Sequence, residues 1–433
     1  MKINLKKVDS ISGVIEMPGD KSITHRSIML SSLSEGSSII RNYLLSDDCD
    51  RTIEAFRKMG VEIKSDKNNL YIKGVGLKLA NPNVKNYNIY AGNSGTTVRL
   101  LSGILAGQNF ETIITGDKSL SMRPMQRVID PLLRMGANII SKGGLLPLKI
   151  TGRGSLKAIN YKSEKSTAQV KSAVLLAGLY ADGPTTYSEP MKSRDHSERM
   201  LKAFGVNVDV RGNSVTVCPI DKLIAHDLTI PGDISSAAFF IAAALIIPNS
   251  NLIIKNVGVN PTRSGLVEVL KRMGANITLI NFREVSHEPV YDIIAKYSKL
   301  KATNIEAPLI PRMIDEIPIF ALIASQAEGV TKVSGAEELR VKETDRIKAI
   351  VGQFKKLGVK IEELKDGFLI NGGSSSGFTI TDAIILNSFK DHRIAMTLAI
   401  ASLIANGKIA IKNSDCVDIS FPGFYETLKG ICN

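Results

Sequence analysis

A chain of 433 residues, 44% hydrophobic and 22% charged, is not a largely disordered polypeptide, and at this length it calls for two domains of roughly 200 residues each. The formal charge of +13 asks for an anionic partner, yet aromatic residues are 5%, Trp is absent and there is no basic tail, which disfavours nucleic acid and leaves small phosphorylated metabolites. Cys49, Cys218, Cys416 and Cys432 form no C-x-x-C pair, the five histidines are scattered and no H-E-x-x-H occurs, so neither a disulfide framework nor a metal site is expected.

In chain order, residues 1–13 lack the apolar core of a signal peptide, and residues 2–8 read as a strand. MPGDKS at 17–22 leads into a helix over 22–36 that is small and apolar nearly all round, and therefore buried. FRKMGVEI at 56–63 then reads as an amphipathic helix, a Gly just past its end and a short β-branched strand. The two phrases alternate from there on. Buried helices are expected over 22–36, 93–107, 167–183, 233–247, 315–329 and 391–407. The outer phrase returns as LLRMGANI (132–139), LKAFGVNV (201–208), LKRMGANI (270–277), FKKLGVKI (354–361) and a degenerate YETLKGI (425–431). Even the apolar run at 237–247 is too short to span a bilayer, so a cytoplasmic protein with no membrane partner is expected, and a monomer.

A recurrence at about 70 residues reads as an α/β protein of six units, in each of which helices cover a sheet. IPGDIS at 230–235 repeats MPGDKS, which divides the chain into two lobes of three units. One lobe spans 21–229; the other takes 1–20 and 230–433, with a double hinge near 20 and 230. A tandem-repeat solenoid with a concave binding face is the bland alternative.

Polar residues collect where the buried helices begin: Lys21, Ser22, His25 and Arg26 at the first; Asn93, Ser94, Gly95, Thr96, Thr97 and Arg99 at the second. Ser166, Thr167, Gln169 and Lys171 open the third, Asp315 and Glu316 the fifth, and Asp391, His392 and Arg393 the sixth. A helix N-terminus carries unpaired N–H groups and about half a positive charge, which attracts anions. Ser, Thr, Asn and Asp are ordinary caps there, but Lys21, Arg26 and Arg393 oppose the dipole and point to a bound anion. Arg123, in a Met-Arg-Pro turn expected to open an outer helix, does the same. The run Arg340, Lys342, Glu343, Asp345 and Arg346 reads either as a solvated helix face or as part of the same constellation. No P-loop, dinucleotide fingerprint or nucleophile elbow is present.

GDKSITHR, GNSGTTVRLLSG, MRP, AQVKSAVLLAG, SRDHSERML, IDEIP, RVKETDRI and DHRIAM, in this order along the chain, resemble the enolpyruvyl transferases that make 5-enolpyruvylshikimate 3-phosphate. The resemblance implies two lobes each of three βαβαββ repeats in an inside-out α/β barrel, and a reaction that joins phosphoenolpyruvate to 3-phosphoshikimate without metal or other cofactor. Carried over by position, Lys21, Ser22, Arg26, Thr167, Gln169, Arg194, Asp315 and Lys342 hold the phosphoshikimate. Lys21, Asn93, Gly95, Arg123, Gln169, Arg346 and Arg393 hold phosphoenolpyruvate. Asp315 is the candidate base, with Glu343 and Lys21 the candidates for the carbon proton and the departing phosphate. The sequence departs from enteric and plant members at Leu100, Thr167, Ala168, Glu338 and Ile419, which resembles a divergent bacterial branch and puts ligand contacts at Glu338 and Ile419 in question. The sister enzyme acting on UDP-N-acetylglucosamine uses a loop Cys that GDKSLSMRP lacks. A non-catalytic anion-binding repeat protein would need neither Asp315 nor Glu343.

Since Lys and Arg supply the positive charge, turnover is expected to survive exhaustive chelation. A loss of phosphate release that added Mg²⁺ or Zn²⁺ restores would overturn that expectation.

Overall fold

Small, apolar helix sequences need burial on every side, and glycine-terminated amphipathic ones need it on a single side. The computed structural model, which describes residues 2–79, 86–373 and 377–433, meets both demands in each of two units. One unit is Gly19–Ile230 with Val285–His287; the other takes the chain through Pro18, Pro231–Glu284 and the residues from Glu288 onward. Each has its own hydrophobic core.

In the first unit the helices are α1 (Lys21–Leu33), α2 (Asp47–Lys58), α3 (Gly95–Ala106), α4 (Lys118–Ser121), α5 (Gln126–Arg134), α6 (Ala168–Gly178) and α7 (His196–Ala203). α1 is buried from Ile23 to Leu33 although several of its residues are serines. Ser27 Oγ donates back to Ile23 O at 2.9 Å, which satisfies that hydroxyl within its own helix. α3 and α6 press together where Gly103 meets Ala173, so closely that an added Cβ would lie 2.1 Å from the Ala173 carbonyl oxygen. α2 is amphipathic: Cys49, Ile53 and Phe56 are buried, and Gly60 (φ +93°) turns the chain off its end.

Among the described residues, the three sheets of this unit share one strand order. Asn86–Tyr90 runs parallel to Glu111–Thr115, which pairs antiparallel with Leu145–Thr151 and, through it, with Asn138–Lys142. Asn160–Lys162, Thr185–Ser188, Ser214–Val217 and Val208–Arg211 repeat that order. In the remaining sheet, Ser34–Arg41, Asn69–Val75 and Glu62–Asp66 fill the last three places, and the parallel edge comes from far along the chain, from Leu223–Ile224 and Leu228–Thr229.

The second unit holds α8 (Ile234–Ile246), α9 (Gly265–Arg272), α10 (Ile310–Met313), α11 (Ile317–Gln326), α12 (Arg346–Lys356), α13 (His392–Ser402) and α14 (Phe424–Gly430). All of α8 is buried. Ser12–Glu16 lies parallel to Asn251–Gly258, which pairs with Glu288–Lys296, and that with Asn276–Val285. Val330–Val333, Gly367–Asn371 and Lys360–Leu364 form an antiparallel sheet. Ile384–Asn387 runs parallel to Ile409–Lys412, whose other side is taken antiparallel by Lys2–Leu5.

Several expected boundaries move. The helix expected over 22–36 stops at Leu33 because the chain enters the strand Ser34–Arg41, and the one expected over 391–407 stops at Ser402. The strand expected over 2–8 reaches only Leu5. Gly430 does not follow the outer phrase: it is the last residue of α14 and has no positive φ. Among the described residues no helix is long and apolar enough to cross a membrane.

Gly103→Ala drives a methyl group into backbone at the α3–α6 contact, where no side chain can swing aside. Overpacking of this kind costs about 1–3 kcal/mol or more. Urea unfolding is expected to show a loss at least that large; a variant as stable as the parent would mean that the two helices separate freely.

Candidate functional site

The N-terminal ends of α1, α3 and α6 are tied to one another by polar side chains. Asp20 caps α1, accepting from Ile23 N at 2.9 Å, and Lys21 follows with its Nζ 3.0 Å from Asp48 Oδ2. Arg26 lies one turn further in, so it is not a first-turn residue. It is buried, its Nε donating to Ser197 Oγ (2.8 Å), Nη2 to Ser172 Oγ (2.7 Å) and Nη1 to the Ser22 carbonyl (2.8 Å). Arg194 reaches the same turn, with Nη1 3.3 Å from Ser22 Oγ. Between α3 and α6 the bridge is Gln169, which accepts from Arg99 Nη1 at 2.8 Å and donates to Thr96 Oγ1 at 2.9 Å. Thr167, the N-cap of α6, makes no side-chain capping bond.

Arg123 does not open an outer helix; it lies between α4 and α5, where Nη2 donates to Asn93 Oδ1 (2.6 Å) and Ser119 Oγ (3.2 Å). Asn93 Nδ2 in turn donates to Asp117 Oδ2 at 2.8 Å, which fixes the amide's orientation. Gly95 faces the guanidiniums: a Cβ there would stand 2.7 Å from Arg99 Nη1 and 3.6 Å from Arg123 Nη1. The bare Cα thus leaves room beside two cations. Ser22, Arg26 and Arg194 form one connected group, with Lys21 beside Ser22 in the chain and paired with Asp48, and Asn93, Gly95, Arg99, Arg123 and Gln169 form another.

Behind these residues a chain of hydroxyls links the helices. His25 Nδ1 is 2.7 Å from Thr52 Oγ1, Thr52 is 2.8 Å from Thr97 Oγ1, and Thr97 Oγ1 donates to Ser94 Oγ, the cap of α3, at 2.7 Å. His25 is fully buried and its Nε2 has no hydrogen-bond partner. Burial, reinforced by the charges of Lys21 and Arg26, pulls its pKa from 6.5 down to about 3.

In the second unit the constellation centres on Arg346, the first residue of α12. Its Nε donates to Asp391 Oδ2 (2.8 Å), Nη1 to Asp315 Oδ1 (3.2 Å) and Nη2 to Glu343 Oε2 (2.7 Å). Arg393 approaches Asp315 from the other side, with Nη1 3.2 Å from its carbonyl and Nη2 3.6 Å from Oδ2. Asp391 also caps α13, accepting from Arg393 N at 2.9 Å. The run around Arg346 is therefore not a solvated face: Arg340 pairs with Asp345 (2.8 Å) and Glu363 (2.9 Å), while Arg346 turns inward. Lys342 and Glu338 are half-buried, and Ile419, also partly buried, packs against the core. Among the described residues no three His, Cys, Asp or Glu side chains are grouped to hold a metal ion.

Sequence reasoning missed Asp48, Asp117 and Ser119. Asp48 in SDDCD has the form of any acidic helix start, so nothing local marked it as the partner of Lys21. Lys171, one of the polar residues where the third buried helix opens, is buried between Glu189 and Glu198.

The fold is that of an enolpyruvyl transferase: NikO from Streptomyces tendae superposes with a TM-score of 0.78 over 99% of this chain and 96% of its own, and at 17% identity that likeness concerns the fold alone. The EPSP synthase of Acinetobacter baumannii superposes more closely, with a TM-score of 0.87 at 41% identity, covering 100% of this chain and 98% of its own. By sequence, the 3-phosphoshikimate 1-carboxyvinyltransferase of Endomicrobium trichonymphae is 70% identical over 432 residues, 100% of both chains, and that of Bacillus cytotoxicus is 48% identical over 431 residues, 99% of this chain and 100% of its own. The family model for EPSP synthase (3-phosphoshikimate 1-carboxyvinyltransferase) matches residues 5–428, and the chain belongs to that family.

With a folded pKa of about 3 against 6.5 unfolded, His25 makes the unfolded state bind more protons between those values. Its contribution to stability is complete above pH 6.5 and is lost as pH falls toward 3, by about 1.4 kcal/mol per pH unit. Between pH 6.5 and 5, unfolding free energies of His25→Gln are expected to fall less steeply than the parent's by about that slope; parallel curves would show that the ring is not held neutral.

Proposed function

We propose that the chain transfers the enolpyruvyl group of phosphoenolpyruvate to the 5-hydroxyl of 3-phosphoshikimate, releasing phosphate, and that the two constellations supply its binding and proton-transfer groups. Family membership carries the reaction itself, a step of the shikimate pathway toward the aromatic amino acids. The strand order shared by the sheets of the first unit, and repeated by Ser12–Glu16, Asn251–Gly258, Glu288–Lys296 and Asn276–Val285 in the second, supports reading the chain as βαβαββ repeats in two sets of three, the inside-out barrel of this family.

In this reading Lys21, Ser22, Arg26, Thr167, Gln169, Arg194, Asp315 and Lys342 take the phosphoshikimate. Lys21, Asn93, Gly95, Arg123, Gln169, Arg346 and Arg393 take phosphoenolpyruvate. A guanidinium offers two parallel N–H donors to a carboxylate or phosphate, which suits the arginines to either end of that substrate. The hydroxyl oxygen attacks C2 of the enol and gives up its proton, while C3 gains one; the adduct is tetrahedral at C2. In the second half C3 returns its proton and the C–O bond to phosphate breaks. A base for the hydroxyl and an acid for the carbon are both required.

One observation supports giving both carboxylates a part in proton transfer: Arg346 binds Asp315 and Glu343 at once, so the two share a single cation. We assign Asp315 to the hydroxyl proton. Glu343 and Lys21 divide the carbon proton and the leaving phosphate between them.

Asp315→Asn preserves size and removes the carboxylate. Turnover is expected to fall by roughly 10²–10⁴-fold while calorimetric binding of 3-phosphoshikimate persists. Unchanged turnover would remove Asp315 from the mechanism.

A further inference from the structure

Lys171, in the first turn of α6, has a relative exposure of 1%. Its Nζ lies 2.9 Å from Glu189 Oε1, 2.7 Å from Glu198 Oε1 and 3.2 Å from the Ser193 carbonyl. Glu189 Oε1 also accepts from Ser193 N (2.8 Å) and Ser193 Oγ (2.9 Å). One ammonium between two carboxylates in a dry interior is a poor way to stabilise a fold, because desolvation consumes most of the Coulombic gain and well-packed apolar groups do as well or better. What the triad does fix is the chain at Ser193 and at Glu198.

The next residue of α6 holds the same segment at a third point. Ser172 Oγ is 2.7 Å from Ser197 Oγ, and Arg26 spans both hydroxyls. Residues 193–198 are therefore gripped at Ser193, Ser197 and Glu198, and the one long cationic side chain inside the grip that reaches α1 is Arg194. A long arginine side chain loses substantial rotamer freedom when it orders on a ligand, and anchoring its backbone in advance lowers that cost.

We infer that Lys171, Glu189 and Glu198 are positioning residues that present Arg194 to the phosphorylated substrate, 3-phosphoshikimate, and set the affinity for it without touching it. This rests on the reading of Arg194 as a ligand of that substrate. The triad acts chiefly through Arg194, and the other cation that the segment holds, Arg26, is assigned to the same substrate, so phosphoenolpyruvate use and the chemical step are left alone.

The test is steady-state kinetics of Arg194→Ala, Lys171→Met, Glu189→Gln and the two double variants with Arg194→Ala. Glu189→Gln keeps the side chain's volume and carries the test if Lys171→Met does not fold. Arg194→Ala is expected to raise KM for 3-phosphoshikimate roughly tenfold or more, and each triad variant roughly five- to tenfold, with KM for phosphoenolpyruvate and kcat within about twofold of the parent. On the Arg194→Ala background the triad changes are expected to add less than about twofold, because residues acting through one another are not additive. Additive losses, or equal losses for both substrates, would overturn the inference, as would triad variants with parental kinetics where Arg194→Ala is impaired. An Arg194→Ala variant with unchanged KM for 3-phosphoshikimate would sink the assignment of Arg194 itself, and the inference with it.

Discussion

A guanidinium taken out of water must have its N–H donors met by acceptors, and at Arg346 three carboxylates do so and organise the second unit's constellation. The side chain is 1% exposed. Burial alone would favour losing its proton, but Asp391, Glu343 and Asp315 more than reverse this and hold the pKa above the ordinary arginine range. Those carboxylates come from three places: the cap of α13, the stretch before α12 and the short turn Ile314–Glu316 that leads into α11. Removing one partner of such a buried pair typically costs about 3–5 kcal/mol. The cation therefore acts as a structural centre as well as a candidate ligand, and the geometry between Asp315 and Glu343 depends on it.

The first unit solves a related problem with different partners. Arg26 is buried on the hydroxyls of Ser172 and Ser197 and the Ser22 carbonyl. Arg99 and Arg123 meet amide oxygens of Gln169 and Asn93. Three carboxylates meet at Arg346, while Arg26, Arg99 and Arg123 each donate to hydroxyl, amide or backbone oxygens.

The sequence was legible where one residue type has one physical use. Helices that are apolar nearly all round, such as α8, had to be buried, and Gly60 had to follow a helix end. Legibility failed where the deciding partner is remote. Lys171 and Arg393 both break the same dipole rule, yet one meets Glu189 and Glu198 in the interior and the other flanks Asp315. No local pattern separates them. Edge strands as short as Leu223–Ile224 and Leu228–Thr229 carry no alternation to read, so the closure of the first sheet from far along the chain was not foreseen. The motif resemblance found the candidate ligands but not the residues that hold them, such as Asp48 behind Lys21 and Asp117 behind Asn93.

The pairing of Ser12–Glu16 with residues 251–255, and of Lys2–Leu5 with residues 409–412, has a consequence for biosynthesis. Residues 2–16 leave the ribosome before everything else described, and their partner strands follow only after the whole of Gly19–Ile230 has been made. At roughly 5–20 residues per second the wait is on the order of tens of seconds. The intervening unit can close its own sheets as soon as residues 223–229 emerge, whereas the opening strands remain unpaired edges that a chaperone or another nascent chain can reach. Of the described residues, the first to be translated are thus among the last to be secured.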